Sequence, residues 1–202
     1  MSAEILFATN NPGKLDEVRA MAKLDNVIVY SAQDLGLDID PKETGETFEE
    51  NARLKAMAFL GAVNSDVWIA ADDTGVMINA LNGEPGVHTR RWAGYKMSDQ
   101  EVRDYALEKL KEVEPANRNA VFRSVVVLGR RAEEVGVFEG EIKGVILNAP
   151  NLQSKAREGL AFDQIFYVPE ADQMLGDIEG TDFLTHRQRA FKKIFKYILE
   201  VS

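Results

Sequence analysis

The stretch Ala70-Ala71-Asp72-Asp73-Thr74-Gly75 decides how the rest of this chain is interpreted. It follows Val67-Trp68-Ile69, a short apolar run that predicts a buried strand, and it contains two adjacent acids before a glycine. In an open α/β sheet, ligands bind outside the carboxyl ends of the strands, so we expect Asp72 and Asp73 to face a crevice. Paired carboxylates at such an edge suit Mg²⁺, which prefers oxygen ligands together with substrate phosphates. On these residues alone, a turn that merely reverses the chain is the favoured alternative.

Length and charge limit the classes of function. The 202 residues predict one domain, 1–202, with room for two lobes. A net charge of -9 argues against a nucleic-acid polymer as partner, because following a phosphate backbone requires a basic face. A small phosphorylated ligand needs only a few local cations and a metal ion. Cysteine is absent and there are two histidines, so thiolate chemistry is excluded and a histidine-built metal site is disfavoured.

The sequence also predicts where the protein works. No apolar run approaches the ~18 residues that a membrane-spanning helix needs. The acidic Glu4 and the lack of a basic start argue against a signal peptide. We therefore expect a cytoplasmic protein with no membrane partner.

The N-terminal segment predicts a strand, a turn and a helix. Ile5–Thr9 is apolar, 10–14 is Asn-Asn-Pro-Gly-Lys, and apolar residues then recur at helical spacing. A helix N-terminus presents unpaired N–H groups and a partial positive charge to an anion, and Lys14 adds a full charge there. An ordinary loop with a solvated lysine is the alternative.

Two capping boxes predict further helix starts. Thr47 with Glu50, and Ser98 with Glu101, have the spacing at which a side chain and a backbone N–H satisfy each other reciprocally. The first helix has one apolar side, formed by Phe48, Ala52, Ala56, Phe59 and Leu60. Glu43 precedes it on a loop, where an acid either points into a cleft or is simply solvated.

The second half of the chain predicts an antiparallel portion. The runs 121–128 and 135–147 are strand-like, and the 129–134 link between them is short enough for a hairpin. The polar loop 148–159 is long for a compact domain, and such loops are often functional. A final helix follows Thr185-His186-Arg187. The predicted fold is a mixed, twisted α/β sheet with flanking helices, in two lobes with an active-site cleft between them.

Taken together, the motifs resemble the inosine/xanthosine triphosphate pyrophosphatase family, which hydrolyses deaminated purine nucleoside triphosphates. Five pieces match in the family's order. They are 8–14 (ATNNPGK), 43–56 (with ETG, TF, ENA and KA), 71–75 (ADDTG) followed by 80–86, Phe138 with Gly140 and Gly144, and His186-Arg187 at the start of the last helix.

The resemblance implies roles for individual residues. The triphosphate-binding turn would comprise Thr9, Asn10, Asn11 and Lys14, with Lys55 and Thr74 as further substrate contacts. The Mg²⁺-binding acids would be Glu43, Asp72 and Asp73. The base would be contacted by Phe162, Asp163, His186 and Arg187.

The implied reaction is attack of water on the α-phosphorus, which releases pyrophosphate and a nucleoside monophosphate. Asp73 would activate the water, and Lys14 would stabilise the charge that builds on the phosphoryl oxygens. Mg²⁺ is the implied cofactor, ITP, dITP and XTP are the implied substrates, and a homodimer is the implied assembly.

Two departures from the family pattern leave the preferred base open. The family has a Phe-Gly-Tyr-Asp-Pro type run where this chain has Leu160-Ala161-Phe162-Asp163-Gln164. The family also has a lysine where this chain has Thr181. A pyrophosphatase for another modified nucleotide is therefore one alternative, and a nucleotide-binding protein without catalysis is the other.

Overall fold

The computed structural model describes residues 3–63, 66–178 and 180–201. The helices and strands in this part of the chain are, in order, β1 (Ala3–Phe7), α1 (Pro12–Ala22), β2 (Val27–Tyr30), α2 (Phe48–Ala62), β3 (Trp68–Ile78), α3 (Asp99–Lys109), β4 (Asn119–Arg130), β5 (Glu133–Ile146), β6 (Phe166–Val168), β7 (Gln173–Met174) and α4 (His186–Val201). No described helix is both long enough and apolar enough to cross a membrane.

The strands form one open, mixed sheet in the order β2-β1-β3-β4-β5-β6-β7. β1 pairs in parallel with β2 and with β3, whereas β6 pairs antiparallel with β5 and with β7. Gly144 shows how closely the antiparallel strands approach, because a Cβ there would lie 2.2 Å from a ring carbon of Phe166. The predicted mixed sheet with flanking helices is confirmed.

The chain divides into two compact units. The first unit comprises the residues up to 74, together with 124–140 and the residues from 187 onward; the second comprises 75–123 and 141–186. The boundaries fall inside β3, β4 and β5 and at the start of α4, so these elements contribute to both units.

In the first unit, the strand alternation assigns each helix to a face of the sheet. Ile5 and Phe7 of β1 share a buried cluster with residues of α1 and α4, and the rings of Phe7 and Phe191 meet edge to face at 4.8 Å. Leu6 and Ala8, which point the other way, share a cluster with the predicted apolar side of α2. The first unit therefore has one core on each face of its sheet.

The second unit has a separate core. α3 contributes Val102 and Ala106, and Leu110 follows directly after the helix. The strands and the 161–165 segment contribute aromatic and β-branched side chains. Both predicted capping boxes are present, because Thr47 and Ser98 accept from the backbone N–H groups of Glu50 and Glu101 and the two glutamates reciprocate.

Three predicted boundaries differ from the structure. β1 ends at Phe7 rather than Thr9, where the chain turns toward α1. The hairpin link consists of Arg131 and Ala132 alone, both at positive φ, so β4 and β5 are longer than predicted. The 72–75 segment is not a turn, since β3 runs through it to Ile78. Pairing with β1 ends at Ala70, and β4 is the neighbour on the other side of β3.

Candidate active site

Asp72 and Asp73 point to opposite faces of the first unit because they are consecutive residues of a strand. The two preceding residues establish which face is which. Ala70 belongs to the buried cluster of α1 and α4, and Ala71 belongs to the cluster of α2. Asp72 therefore faces α1 and α4, whereas Asp73 faces α2.

The turn from β1 into α1 is held by its own side chains. The Asn11 side chain accepts from the backbone N–H of Lys14 at 3.1 Å and caps α1, while the Thr9 hydroxyl accepts from the Asn11 N–H at 3.2 Å. Asn10 is exposed, and its amide lies 3.4 Å from Asp40. This turn places the Lys14 side chain at the start of α1, next to β3.

Asp72 is the buried anion to which Lys14 is anchored. The Lys14 ammonium lies 3.0 and 3.1 Å from the two carboxylate oxygens, and the Thr74 hydroxyl donates to Oδ2 at 2.7 Å. Thr74 in turn lies 3.0 Å from the hydroxyl of Ser124 on β4. Burial alone would raise the pKa of Asp72, but Lys14, Arg187 and Lys55 outweigh it and hold that pKa far below its usual range. Burial lowers the pKa of Lys14 despite its carboxylate partner.

Arg187 approaches Asp72 from the start of α4. Its side chain is 1% exposed, its Nε donates to Asp72 Oδ2 at 3.3 Å, and its Nη1 donates to the buried Glu17 of α1. The guanidinium therefore links α1, β3 and α4 on the Asp72 side of the sheet. The sequence resemblance implied that Arg187 contacts the base. Its contacts with Asp72 and Glu17 were not predicted.

Asp73 has a different environment on the α2 side. Asn51 donates an amide N–H to its Oδ2 at 3.1 Å, and the Lys55 ammonium lies 3.6 Å from its Oδ1. Lys55 also lies 3.0 Å from Glu43 Oε1. Burial raises the pKa of Asp73, and the two lysines compensate only in part. Burial lowers the pKa of Lys55, but Asp73, Asp72 and Glu43 outweigh it and the net direction is upward.

The donor set fits a magnesium ion in part. In the described residues, no group of three or more acidic or histidine side chains is close enough to bind a metal ion by itself. Glu43 and Asp73 nevertheless flank the same ammonium group, so two carboxylates already face one cation. Mg²⁺ typically binds one or two carboxylates and completes its shell with waters and substrate phosphates.

The predicted base contacts belong mainly to the second unit, where they are buried. Phe162 is 2% exposed and meets Phe122 edge to face at 5.6 Å, which is the packing of a core aromatic. His186 stacks on the same Phe122 ring, with the ring centroids 4.7 Å apart and the ring planes 24° apart. Phe122 thus orients both residues, although nothing in its apolar strand distinguishes it in the sequence.

Asp163 forms a bidentate ion pair. The Arg157 guanidinium donates to its two oxygens at 2.7 and 2.8 Å, and the backbone N–H of Arg157 donates to it as well. Thr181, at the family's lysine position, donates its hydroxyl to the Ile178 carbonyl and accepts from the Phe183 N–H. Asp163 and Thr181, which were expected near the nucleotide base, are therefore held by contacts with residues close to them in the chain.

Sequence reasoning missed several residues that support the site. Asn51 donates to Asp73, Glu17 accepts from Arg187, and Ser124 contacts Thr74. A weak signal existed for Glu17, since it follows Lys14 by three residues and so shares a helix face with it. No comparable signal exists for Ser124, because its partner lies 50 residues away in the chain.

Comparisons with known proteins agree with the motifs. A model of the Ham1 family matches residues 5–197. A dITP/XTP pyrophosphatase of Staphylococcus epidermidis is 36% identical over 197 residues, covering 96% of each chain, and that of Bacillus subtilis is 34% identical with the same coverage. The solved Ham1 protein of Staphylococcus aureus superimposes with a TM-score of 0.78 at 32% identity, covering 98% of this chain and 100% of that one. The names of these relatives agree with the triphosphate pyrophosphatase family that the five ordered motifs predict, and the chain belongs to the Ham1 family.

Proposed function

We propose that this protein is a Mg²⁺-dependent pyrophosphatase that hydrolyses non-standard purine nucleoside triphosphates (dITP, XTP and ITP) to the monophosphate and pyrophosphate. Such an activity removes deaminated nucleotides from the precursor pool. The observation that carries the proposal is the arrangement around Asp72 and Asp73, where one lysine is anchored to each of two adjacent acids. The names of the relatives, dITP/XTP pyrophosphatases, support the substrate class.

Lys14 and Lys55 would bind the triphosphate. Phosphoryl transfer builds charge on the phosphoryl oxygens, so catalysis depends on fixed cations more than on covalent chemistry. Their carboxylate partners hold both ammonium groups in place before the substrate arrives, which reduces the reorganisation that binding requires. The N–H groups of Asn11 and Lys14 already donate to side chains of the turn, so the turn would contribute to phosphate binding mainly by holding Lys14 in place.

Glu43 and Asp73 would hold the magnesium ion together with the substrate phosphates, and Asp72 would keep Lys14 in place beside them. When bound, Mg²⁺ neutralises triphosphate charge and lowers the pKa of a coordinated water. The Asp72 oxygens already accept from Lys14, Thr74 and Arg187, which favours this supporting role.

Asp73 would orient the attacking water and accept its proton. Its Oδ2 is engaged by Asn51, so Oδ1, on the Lys55 side, is the better placed acceptor. Burial raises the pKa of Asp73 in the metal-free protein, whereas a bound Mg²⁺ would act in the opposite direction, so the assignment rests on the position of Oδ1.

Base selectivity would depend on hydrogen-bond matching. Donors in the His186-Arg187 segment would satisfy the keto oxygen of a deaminated purine, whereas an amino group would leave buried donors facing donors. Each mismatch costs about 1–3 kcal/mol, so two or three of them would protect ATP. A homodimer and a cytoplasmic location remain predictions.

A pyrophosphatase for a different modified base is the second candidate. It is favoured by the altered run Leu160–Gln164 and by the threonine at position 181, since both change the segment from which the family is expected to contact the base. A binding protein without catalysis is disfavoured, because a binder needs no water-activating acid at position 73.

A substrate panel tests the proposal. Pyrophosphate release should be measured for ITP, XTP, dITP, ATP and GTP, with Mg²⁺ and with a chelator. We expect release from the first three with Mg²⁺ and little from ATP, whose base has an amino group where the deaminated purines have the keto oxygen. Tight nucleotide binding without release for any substrate would reject the enzymatic function, and release from another modified nucleotide alone would support the second candidate.

A further inference from the structure

The Asn51 side chain touches two segments of the candidate active site at once. Its Nδ2 donates to Asp73 Oδ2 at 3.1 Å, and its Oδ1 accepts from the backbone N–H of Gly45 at 2.8 Å. Asn51 is 1% exposed, so both hydrogen bonds are shielded from water. The amide therefore joins β3 to the loop that carries Glu43.

Lys55 makes the same kind of bridge one helical turn further along α2. It lies 3.0 Å from Glu43 and 3.6 Å from Asp73. Residues 51 and 55 are four apart and therefore share a helix face. The loop and the strand are thus held to α2 at two successive levels, by an amide and by an ammonium group.

Gly45 is required for the close approach. A Cβ at this position would lie 2.6 Å from the Glu50 Cβ and 2.9 Å from the Asn51 Oδ1. Neither neighbour can move freely, because Glu50 is part of the capping box and Asn51 is buried. The absence of a side chain at position 45 lets the backbone N–H reach the amide oxygen.

An amide is suited to this position by its chemistry. It donates at one end and accepts at the other, which a carboxylate or an aliphatic side chain of the same shape does not do. Aspartate at position 51 would place a second carboxylate against Asp73, and leucine would leave a buried N–H and a buried carboxylate oxygen without this partner.

We infer that Asn51 is a positioning residue that sets the placement of Glu43 relative to Asp73, and so prepares the pair for magnesium. The inference rests on the proposed function, because it takes Glu43 and Asp73 as the metal-binding acids. Residues that orient metal ligands typically change metal affinity or activity by 10–100-fold when they are replaced.

The main test compares Asn51→Leu with wild type, with Asn119→Leu as the control. Asn119 is exposed at the start of β4, and its side-chain amide donates to the backbone carbonyl of Ala116. Mg²⁺ binding should be measured by calorimetry, and the Mg²⁺ dependence of kcat and KM should be measured separately. We expect Asn51→Leu to weaken Mg²⁺ binding by about 10–100-fold and to lower kcat at subsaturating metal, while Asn119→Leu behaves as wild type.

Gly45→Ala gives an independent route to the same result, and it serves if Asn51→Leu does not fold. It pushes the loop away from Asn51 without changing any metal-binding side chain. We expect weaker Mg²⁺ binding again, and in the double variant an effect well below the sum, because both substitutions break one connection. Additive losses of Mg²⁺ affinity in the double variant would contradict the inference. A lower melting temperature with unchanged Mg²⁺ affinity in both single variants would contradict it as well.

The outcome is separable from that of the proposed function. If wild type binds Mg²⁺ but releases no pyrophosphate from any nucleotide, the proposed reaction fails, while the calorimetric comparison still decides the role of Asn51. If wild type is active and the variants keep its Mg²⁺ affinity and kinetics, the positioning role alone is wrong.

Discussion

Two neighbouring residues of identical type, Asp72 and Asp73, acquire opposite properties. The pKa of Asp72 is lowered and that of Asp73 is raised, although both carboxylates are almost fully buried. The difference comes from their partners, since Asp72 meets an ammonium and a guanidinium group closely while Asp73 is nearest to a neutral amide. One acid therefore serves as a fixed anion, and the other is closer to accepting a proton.

Asp73→Asn tests the assignment of the general base. The amide keeps the size of the side chain but does not accept a proton, so we expect turnover to fall by about 10²–10⁴-fold with a native circular dichroism spectrum. Asp25→Asn is the control, because Asp25 pairs with the exposed Lys192 away from the acids. Near-normal turnover in Asp73→Asn would contradict the role of Asp73.

Arg157→Met tests whether the Asp163 ion pair is structural. Asp163 is 1% exposed, so removing its partner leaves a buried carboxylate and should cost about 3–5 kcal/mol in the free energy of unfolding. Arg53→Met is the control, since its ion pairs with Glu49 and Glu134 lie at the surface and each should contribute less than about 1 kcal/mol. Urea denaturation measures both. Equal, small losses would show that the buried pair contributes little.

At the scale of elements, helix α2 is the component that prepares the site. Its capping box determines where the helix begins, and its apolar side packs on β1 and β3. In the helix that begins there, Asn51 and Lys55 both contact Asp73. If the proposed function is correct, the cap would influence catalysis by setting the positions of side chains one and two turns later.

Thr47→Ala should lower both stability and activity. Loss of the cap costs about 1 kcal/mol and frays the turn that precedes Asn51. Ser98→Ala removes the equivalent cap of α3, a helix that carries none of the predicted catalytic or metal-binding residues, and should cost similar stability without changing kcat. Thermal melts measure the stability of the two variants, and initial rates measure their kcat. A kcat that is equal in the two variants would refute the link between the α2 cap and catalysis.

At the scale of the whole molecule, the proposed function requires an acidic protein to bind a highly charged anion. With a net charge of -9, attraction must come from local cations, and in the first unit these are Lys14 and Lys55 on their carboxylate anchors. The acids that hold the lysines also limit their net positive field. A metal ion would add the positive charge that these acids cancel. This is the electrostatic reason to expect that triphosphate binding requires Mg²⁺.

Mg²⁺ and inorganic pyrophosphate together should stabilise the native protein. A ligand at 100 times its Kd adds about 2.7 kcal/mol, which corresponds to roughly 5–10 °C in melting temperature for a chain of this size. Pyrophosphate with a chelator should raise the melting temperature much less. Lys14→Met should reduce this remaining shift further. Differential scanning fluorimetry measures the shift. The same shift with and without Mg²⁺ would contradict a metal-bridged phosphate site.

Much of the architecture follows from local pattern. Apolar periodicity predicted the first strands and the last helix, and both capping boxes were predicted to the residue. The continuation of β3 through Asp72–Gly75 was not predicted, because aspartate and glycine are depleted in strands and tertiary context overrides that preference. The positive-φ pair Arg131 and Ala132 likewise gave no turn signal, since neither residue is typical of a tight hairpin.

The sequence alone determined the family, the order of the motifs, the helix starts and the identity of the candidate acids and lysines, because these depend on residues a few positions apart. The tertiary structure decided which partner each charged group received. Asp72 meets Lys14 across 58 residues and Arg187 across 115, and Asn51 reaches Asp73 across 22. Such pairings depend on how strands and helices stack, and the alternation of side chains along β3 then assigns each acid to its own helix layer.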